Sequence, residues 1–350
     1  MTVTVRECTQ TDQAAWDAFV DQHPQATFCH RFGWRRVLQD AFGHTSYFLL
    51  AQEVDAGQPA RTVGVLPLAL VHSRLFGTKL ASLPFCVYGG ILAENSDAGA
   101  ALRKAACELA EQSGVEALEL RNTQPSNSGW PVKDLYYTFR KEFSADHEAN
   151  MKAIPNKQRA MVRKGIAAGL ISEEDADPHC KRFYRVYSES VRNLGTPVFN
   201  RRYLEILRDE FGVDCRVLMI RDGNQDVAGV MSFYFHGEVL PYYGGSIARA
   251  RSIKGCNDFM YWELMRRSAD EGLNCFDFGR SKFNTGPFKF KKNWGFEPAP
   301  LPYEYYLVNT DEMPDVNPNN PRYRRLVETW RRLPLPVANL LGPPLARSLG

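Results

Sequence analysis

Gly229-Val230-Met231-Ser232-Phe233, with Tyr243-Gly244-Gly245 ten residues further on, repeats an earlier passage of the same chain, Gly64-Val65-Leu66-Pro67-Leu68 with Tyr88-Gly89-Gly90. Each Tyr-Gly-Gly is followed by a helical pattern and then a short apolar strand, which runs out at Arg121 in the first copy and Arg280 in the second. Gly90 to Arg121 is 31 residues (121 − 90) and Gly245 to Arg280 is 35 (280 − 245). The first copy is ten residues longer between its two signatures (88 − 64 = 24 against 243 − 229 = 14), and the surplus lies around the basic stretch Ser73-Arg74-Leu75-Phe76-Gly77-Thr78-Lys79. An order of strand, strand, Tyr-Gly-Gly, helix, strand that occurs twice reads as a duplication. Two such units imply an α/β (α+β) chain of two tandem domains, each a mixed sheet flanked by helices.

Working outward, strands are expected at Thr2–Arg6, Ser46–Gln52, Thr62–Val71, Val87–Leu92 and Val115–Leu120, then at Cys215–Arg221, Asp226–Phe235, Glu238–Ser246 and Asn274–Phe278. Trp34, Val37, Leu38 and Ala41 form one helical stripe, and Ala98, Leu102, Ala105, Ala106 and Leu109 another. Further helices are expected at Asn156–Ala168, Pro178–Asn193, Arg201–Phe211 and Asn257–Asp270. Asn122–Pro131, rich in turn residues, reads as the loop between halves. The expected division is 1–135, 136–310 and a tail of 311–350, with a linker at Asn317–Pro321, a short basic helix near Tyr323–Arg332 and a Pro-rich end.

Composition narrows the function classes. With 44% hydrophobic and 24% charged residues the chain has material for sizeable cores. Lys+Arg 43 against Asp+Glu 40 gives +3, which excludes a polybasic nucleic-acid binder but leaves room for local basic segments. The longest apolar stretch, near Val63–Val71, is far short of the about 18 residues that span a bilayer. Met1–Gln10 alternates like a strand and lacks the apolar segment of a signal peptide, so the expectation is a cytoplasmic protein. Eight scattered cysteines without a C-x-x-C pair read as reduced structural thiols, and seven histidines without H-x-x-x-H give no metal site. G-x-S-x-G, G-x-x-x-x-G-K-[ST] and G-x-G-x-x-G are absent, which argues against serine hydrolases, P-loop NTPases and Rossmann dehydrogenases.

Two segments concentrate positive charge. Met151–Gly169 holds Lys152, Lys157, Arg159, Arg163 and Lys164 without an acid, and Arg280–Lys292 holds Arg280, Lys282, Lys289, Lys291 and Lys292, again without one. In the second, the charges interleave with Phe283, Phe288, Phe290 and Trp294, a pattern read as a partly buried strand–loop–strand. Buried cations require anionic or carbonyl partners, and phosphate would serve. The loop Ser252-Ile253-Lys254-Gly255-Cys256-Asn257 opens a helix whose unpaired N–H groups could hold a pyrophosphate, although Asp258 puts negative charge at that helix start.

Gly286-Pro287-Phe288-Lys289-Phe290-Lys291-Lys292 followed by Trp294-Gly295-Phe296 resembles the K-F-K-K-G-[FY] segment of Fem peptidyltransferases. Phe276-Asp277-Phe278-Gly279-Arg280-Ser281 is similar to the D-F-G-R segment of their acetyltransferase-like relatives in polysaccharide operons, and Lys157–Gly165 is similar to the family's R-x-x-[IV]-R-K-x-x-x-G helix. His30-Arg31-Phe32-Gly33-Trp34 and Ser73–Gly90 look most like the FemAB-like proteins of exosortase/PEP-CTERM exopolysaccharide loci, and the resemblance runs over roughly residues 3 to 345. It implies two tandem GNAT-like (N-acyltransferase-like) domains. It also implies transfer of an acyl or aminoacyl group to an amine of a cell-envelope or exopolysaccharide precursor, a saccharide or peptide. The donor it implies is acyl-CoA or aminoacyl-tRNA, without a metal. The family's functional lysine falls on Lys289 or Lys291, and its phosphate-binding arginine on Arg159 or Arg163. No heptad run is long enough for the coiled-coil arm of many Fem enzymes, which favours a small thioester or an unusual carrier over tRNA.

Acyl transfer to an amine needs a free amine, a polarised carbonyl and close approach. Lys289 and Lys291 are the candidates to stabilise the oxyanion or the donor phosphate, and Tyr243 with the Gly244 and Gly245 amides to polarise the carbonyl. Arg280 would anchor an acceptor phosphate or carboxylate, and His30 and Tyr88 are the first half's substrate-binding candidates. No carboxylate stands out as general base; Asp277 sits in an alternating strand, so substrate-assisted proton transfer is expected. The two halves would enclose a groove floored by the lysine-bearing strand. The competing class is a non-catalytic glycan- or partner-binding subunit on the same scaffold. For the tail, docking on the body is the first reading and peripheral contact with the inner membrane the second.

Overall fold

The computed structural model describes residues 2–55, 59–73, 77–126, 128–313 and 321–349. Arg74, Leu75 and Phe76 of the basic insertion, and residues 317–320 of the expected linker, lie outside them. The chain begins β1 (Thr2–Glu7), α1 (Gln13–Gln22), α2 (Trp34–Phe42), β2 (Ser46–Val54), β3 (Arg61–Ser73), β4 (Gly77–Ser82), β5 (Leu92–Ala93), α3 (Ser96–Gln112), β6 (Ala117–Arg121) and β7 (Val132–Lys133). It continues β8 (Tyr136–Glu142), α4 (His147–Ala153), α5 (Asn156–Ala167), β9 (Ile171–Glu174), α6 (Lys181–Leu194), α7 (Arg201–Phe211), β10 (Cys215–Asp222), β11 (Gln225–Phe235), β12 (Glu238–Ser246) and α8 (Cys256–Asp270). It ends β13 (Cys275–Asp277), β14 (Ser281–Lys282), α9 (Gly286–Asn293), β15 (Pro298–Pro300), β16 (Tyr303–Leu307), α10 (Pro321–Arg332) and α11 (Leu335–Ala346).

Two compact units result, and neither is one continuous stretch. The first takes residues 1–136, 301–316 and 347–350, and the second 137–300 and 317–346. The first sheet runs β1-β2-β3-β4-β6-β16-β7, with β5 on β3; the second runs β14-β8-β13-β12-β11-β10-β9, with β15 on β8.

The repeat is longer than its sequence signatures. A leading strand, two helices, three antiparallel strands, a helix and a parallel return strand occur as β1-α1-α2-β2-β3-β4-α3-β6 and again as β9-α6-α7-β10-β11-β12-α8-β13. In each unit a strand from elsewhere in the sequence then pairs antiparallel with the return strand: β16 with β6, and β8 with β13. Each copy also carries an irregularity at one place. Ala51↔Gly64 is followed by Gln52↔Thr62, which leaves Val63 as the extra residue, and Ile220↔Ala228 by Arg221↔Asp226, which leaves Val227. These bulges align Gly64 with Ala228, so the Gly-Val echo that reveals the duplication is one residue out of structural register. A one-residue slip exchanges the faces of a sheet. The Gly64 position lies under Leu102 of α3, whereas Gly229 lies against Met219 and Phe183.

Apolar periodicity accounts for most elements. α2 buries Trp34, Val37, Leu38 and Phe42 and stops at Gly43, which is left-handed at φ +63°. α3 starts where Asn95 Oδ1 accepts from Ala98 N (2.9 Å) and buries Ala98, Leu102, Ala106 and Ala110 against the first sheet. Two expected strands are absent. Of Val87–Leu92, Leu92 alone is in a strand, because Leu83, Phe85 and Gly89 have φ of +51°, +68° and +116° and break the extended path. The segment read as strand–loop–strand contains helix α9, because Pro287 in its first turn presets the helical φ just after Thr285 at the N-cap position.

Candidate functional site

The two return strands meet their neighbours differently. β4 and β6 pair from Lys79↔Ala117 to Ala81↔Glu119, and β4 ends at Ser82. Beyond it, Ser82 Oγ accepts from Arg121 N (2.7 Å), and Arg121 Nη1 donates to the carbonyls of Leu83 (3.1 Å) and Cys86 (2.6 Å). That end of the first unit is closed. In the second unit β12 and β13 pair at Glu238↔Cys275 and Val239↔Phe276, and β12 then continues to Ser246. Its residues Leu240–Ser246 have no strand neighbour on that side among the described residues. An irregularity at Tyr242, between Tyr243↔Met231 and Pro241↔Ser232, accompanies the divergence.

Lys291 braces the turn beside this opening. Its Nζ donates to three successive carbonyls, Phe278 (2.7 Å), Gly279 (3.0 Å) and Arg280 (3.0 Å). The convergence depends on Gly279, left-handed at φ +62°, whose N–H donates to Asp277 Oδ1 (2.7 Å). Burial draws the Lys291 pKa down to about 7, with the Asp277 charge opposing and Arg280 assisting. Lys289, two residues away on α9, is exposed, because 289 and 291 point to different faces of a helix where a strand would have aligned them.

Tyr243 lies elsewhere. Its hydroxyl meets Tyr203 Oη at 2.7 Å, and its ring meets those of Tyr187, Phe199 and Tyr203, on the α6 and α7 face of the sheet. Gly245 shares that face, and a Cβ there would lie 2.9 Å from Ser190 Cβ. Gly244 faces the other way, toward Tyr261 of α8, whose ring meets Phe278 and Phe290. The structure therefore does not bring Tyr243 and Lys291 together: alternation along β12 sends Tyr243 away from α8 and α9. Arg280 is partly exposed, and its carbonyl is a ligand of Lys291.

The helix start expected to hold a pyrophosphate is covered. Gly255 (φ +82°) precedes α8 with no room for a Cβ against the Met161 carbonyl of α5, and a Cβ on Gly165 would likewise collide with the Gly255 carbonyl. Asp258 accepts from Gln158 Nε2 of α5 and from Trp294 Nε1 (3.0 Å), and burial raises its pKa. On α5, Arg159 is half-buried and bonded to Asn156, whereas Lys157, Arg163 and Lys164 are exposed.

His30 and Tyr88 are buried in the first unit. His30 Nδ1 accepts from Thr27 N (3.1 Å), so Nε2 carries the proton and donates to Gly90 O (3.2 Å). Complete burial lowers its pKa to about 4. Gly90 N donates to Arg121 O (3.1 Å), and Gly90 abuts Asn122 with no room for a Cβ. His30 and Arg121 thereby hold the turn at Gly90 from two sides. Sequence reasoning missed the buried Lys79–Glu119–Arg121 chain, with N···O distances of 2.7 Å at both links; Glu119 two residues before Arg121 on one strand face was the available signal. Among the described residues no group of three His, Cys, Asp or Glu could hold a metal ion, and no helix is long and apolar enough to cross a membrane.

Solved structures share the fold. FemX aligns over 87% of this chain and 98% of its own, with TM-score 0.65 and 14% identity. The C-terminal domain (DUF2156) of a putative lysylphosphatidylglycerol synthetase from Agrobacterium fabrum aligns over 86% and 92%, with TM-score 0.55 and 11% identity. A tandem GNAT protein from the clavulanic acid biosynthesis pathway aligns over 89% and 100%, with TM-score 0.55 and 12% identity. At such identities the likeness is one of fold, and no curated protein matches the sequence. Residues 151–292, from α4 to α9, match the acetyltransferase (GNAT) domain family, and the chain as a whole has the tandem GNAT-like architecture of mixed sheets flanked by helices.

Proposed function

We propose that the chain is an acyl- or aminoacyltransferase acting on an amine of a cell-envelope or exopolysaccharide precursor, and that its second unit carries the reaction. The observation behind this is the divergence of β12 from β13 beyond Val239, beside the turn held by Lys291. Where the strands diverge, backbone N–H groups can donate to an acyl donor's carbonyl and polarise it without reorganising. The acetyltransferase match over 151–292 and the fold likeness to FemX support the reading.

In this scheme the acceptor's amine attacks the donor carbonyl, a C–N bond forms, and the donor's C–O or C–S bond breaks. The amine's proton leaves with the departing oxygen or sulfur. Asp277 and Asp258 are both buried and hydrogen-bonded, which favours proton transfer assisted by the substrate. Lys291 acts as a positioning residue, since its three N–H groups already serve the 278–280 carbonyls. Arg280 would anchor a phosphate or carboxylate of the acceptor. The covered start of α8 disfavours coenzyme A pyrophosphate at that loop and favours an aminoacyl ester, as in aminoacyl-tRNA, as donor. A cytoplasmic location fits both donors.

The test supplies acyl-CoA thioesters and aminoacyl-tRNA with nucleotide-linked amino sugars and peptides, and looks for a new amide by mass spectrometry. Amide formation from aminoacyl-tRNA, weakened by Lys291→Met and retained by Lys289→Ala, is expected. Tight binding of a nucleotide-linked saccharide with no amide from any donor would instead establish the non-catalytic binding subunit.

A further inference from the structure

Helix α11 carries its apolar side chains the wrong way round for a helix bathed in water. Its twelve residues, LPVANLLGPPLA, include no charged side chain. Its small residues four apart, Ala338, Gly342 and Ala346, are the buried ones, and Gly342 lies against the backbone of Val198 with no room for a Cβ. The large side chains point outward: Leu340 is 76% exposed, Leu341 48%, Leu345 41% and Val337 39%. A helix on a soluble surface does the reverse.

The exposed apolar residues are concentrated here. Of thirteen large hydrophobic side chains exposed among the described residues, five (Leu326, Val337, Leu340, Leu341 and Leu345) belong to α10 and α11. A sixth, Leu194, lies beside α10, where Arg331 Nη2 donates to its carbonyl (3.3 Å). The sequence of α10, PRYRRLVETWRR, has five arginines and one glutamate, and Arg331 and Arg332 at its end are exposed. An uncharged outward face flanked by arginines matches one surface chemistry: hydrocarbon under a layer of anionic headgroups. At about 1.5 Å per residue α11 is about 18 Å long, too short for a hydrocarbon core of about 30 Å, so it suits the interface and does not span.

We propose that α10 and α11 form an anchor that docks the second unit on an anionic phospholipid bilayer, with Leu340, Leu341 and Leu345 at the acyl boundary and Arg331 and Arg332 among the headgroups. The anchor is independent of the acyl-transfer reading, because vesicle binding is measured without substrate.

The test is flotation of the full chain with vesicles of phosphatidylcholine, alone or mixed with phosphatidylglycerol. Binding to the anionic vesicles, weakened by added salt, is expected. Leu340→Glu with Leu341→Glu should lower partitioning about tenfold or more, and Arg331→Gln with Arg332→Gln should remove the preference for phosphatidylglycerol. Both positions of the leucine pair are exposed, so an unchanged melting temperature is expected; should that pair unfold the chain, Leu340→Gln alone takes its place. No flotation with either vesicle, or flotation unchanged in the variants, overturns the proposal. A concentration-dependent dimer in sedimentation velocity that the leucine variants dissociate, with no vesicle binding, would assign the face to a second copy of the chain.

Discussion

Replacing Lys291 by Met separates what the ammonium costs from what it holds. Its three N–H groups satisfy the carbonyls of Phe278, Gly279 and Arg280. A buried acceptor left without a partner costs about 1–3 kcal/mol, so three cost about 3–9 kcal/mol. Against this, burial pulls the lysine pKa from 10.5 to about 7. That shift corresponds to a penalty of about 5 kcal/mol for the charged form, which Met relieves. Below pH 7 the two effects are comparable and the variant should lie within a few kcal/mol of wild type. The sign of the pH dependence then follows from proton counts. Between about pH 7 and 10.5 the unfolded chain binds more protons at Lys291 than the folded one, so wild-type stability rises with pH by about 1.4 kcal/mol per unit. Met has no such response. Wild type should therefore gain about 3 kcal/mol on the variant from pH 7 to pH 9. Urea unfolding of both at pH 6, 7.5 and 9 measures it. A gap that stays constant would show that the carbonyl cage fully offsets burial, and the reasoning would be refuted.

Three further outcomes are expected. Acidification from pH 6.5 to 4 should remove about 3 kcal/mol of first-unit stability through His30, since the unfolded histidine protonates first and the folded one not until about pH 4; His30→Gln should make that part of the curve shallower in pH-dependent denaturation, with His44, whose pKa burial also lowers to about 4, keeping a slope there. Arg121→Met should cost about 3–5 kcal/mol, read from urea midpoints, because it strips buried Glu119 of one partner and frees the Leu83 and Cys86 carbonyls. Gly255→Ala should lower stability by about 1–3 kcal/mol, through a left-handed backbone and the Met161 carbonyl, and should raise hydrogen exchange in α5 and at the start of α8; unchanged exchange there would mean that α5 does not seal the helix start.

Much of the fold was legible because its strands alternate and its helices carry apolar stripes. Glu238–Ser246 and Arg201–Phe211 fall where their patterns place them. The stretch around Lys291 was not, because Phe-Lys-Phe-Lys has period two by eye while Thr285, Gly286 and Pro287 set a helix going. The carbonyl cage was illegible for a second reason: it arises from one left-handed glycine, and no side-chain pattern records where three carbonyl oxygens will point. Pairing of β16 with β6 joins segments more than 180 residues apart (Tyr303↔Arg121), which local periodicity cannot reveal. The helical path of α11 through Pro343 and Pro344 was hidden by the prolines themselves, which ordinarily mark a break.

The two units solve one problem in two ways, and the difference is what the proposed transfer site draws on. In both, a strand end leaves carbonyls facing inward, and in both a buried cation collects them: Arg121 those of Leu83 and Cys86, Lys291 those of Phe278, Gly279 and Arg280. In the first unit Arg121 belongs to the return strand itself, so the cation ties the loop after β4 back onto β6 and closes the edge. In the second, Lys291 comes from the helix beyond the return strand, so it braces the turn after β13 without crossing to β12. The edge from Leu240 to Ser246 stays open as a consequence. Transplanting the first arrangement, by giving the second unit an arginine at Asp277 in place of Lys291, should lose transfer activity; a double variant that folds and still transfers would show that the open edge is not where the donor sits.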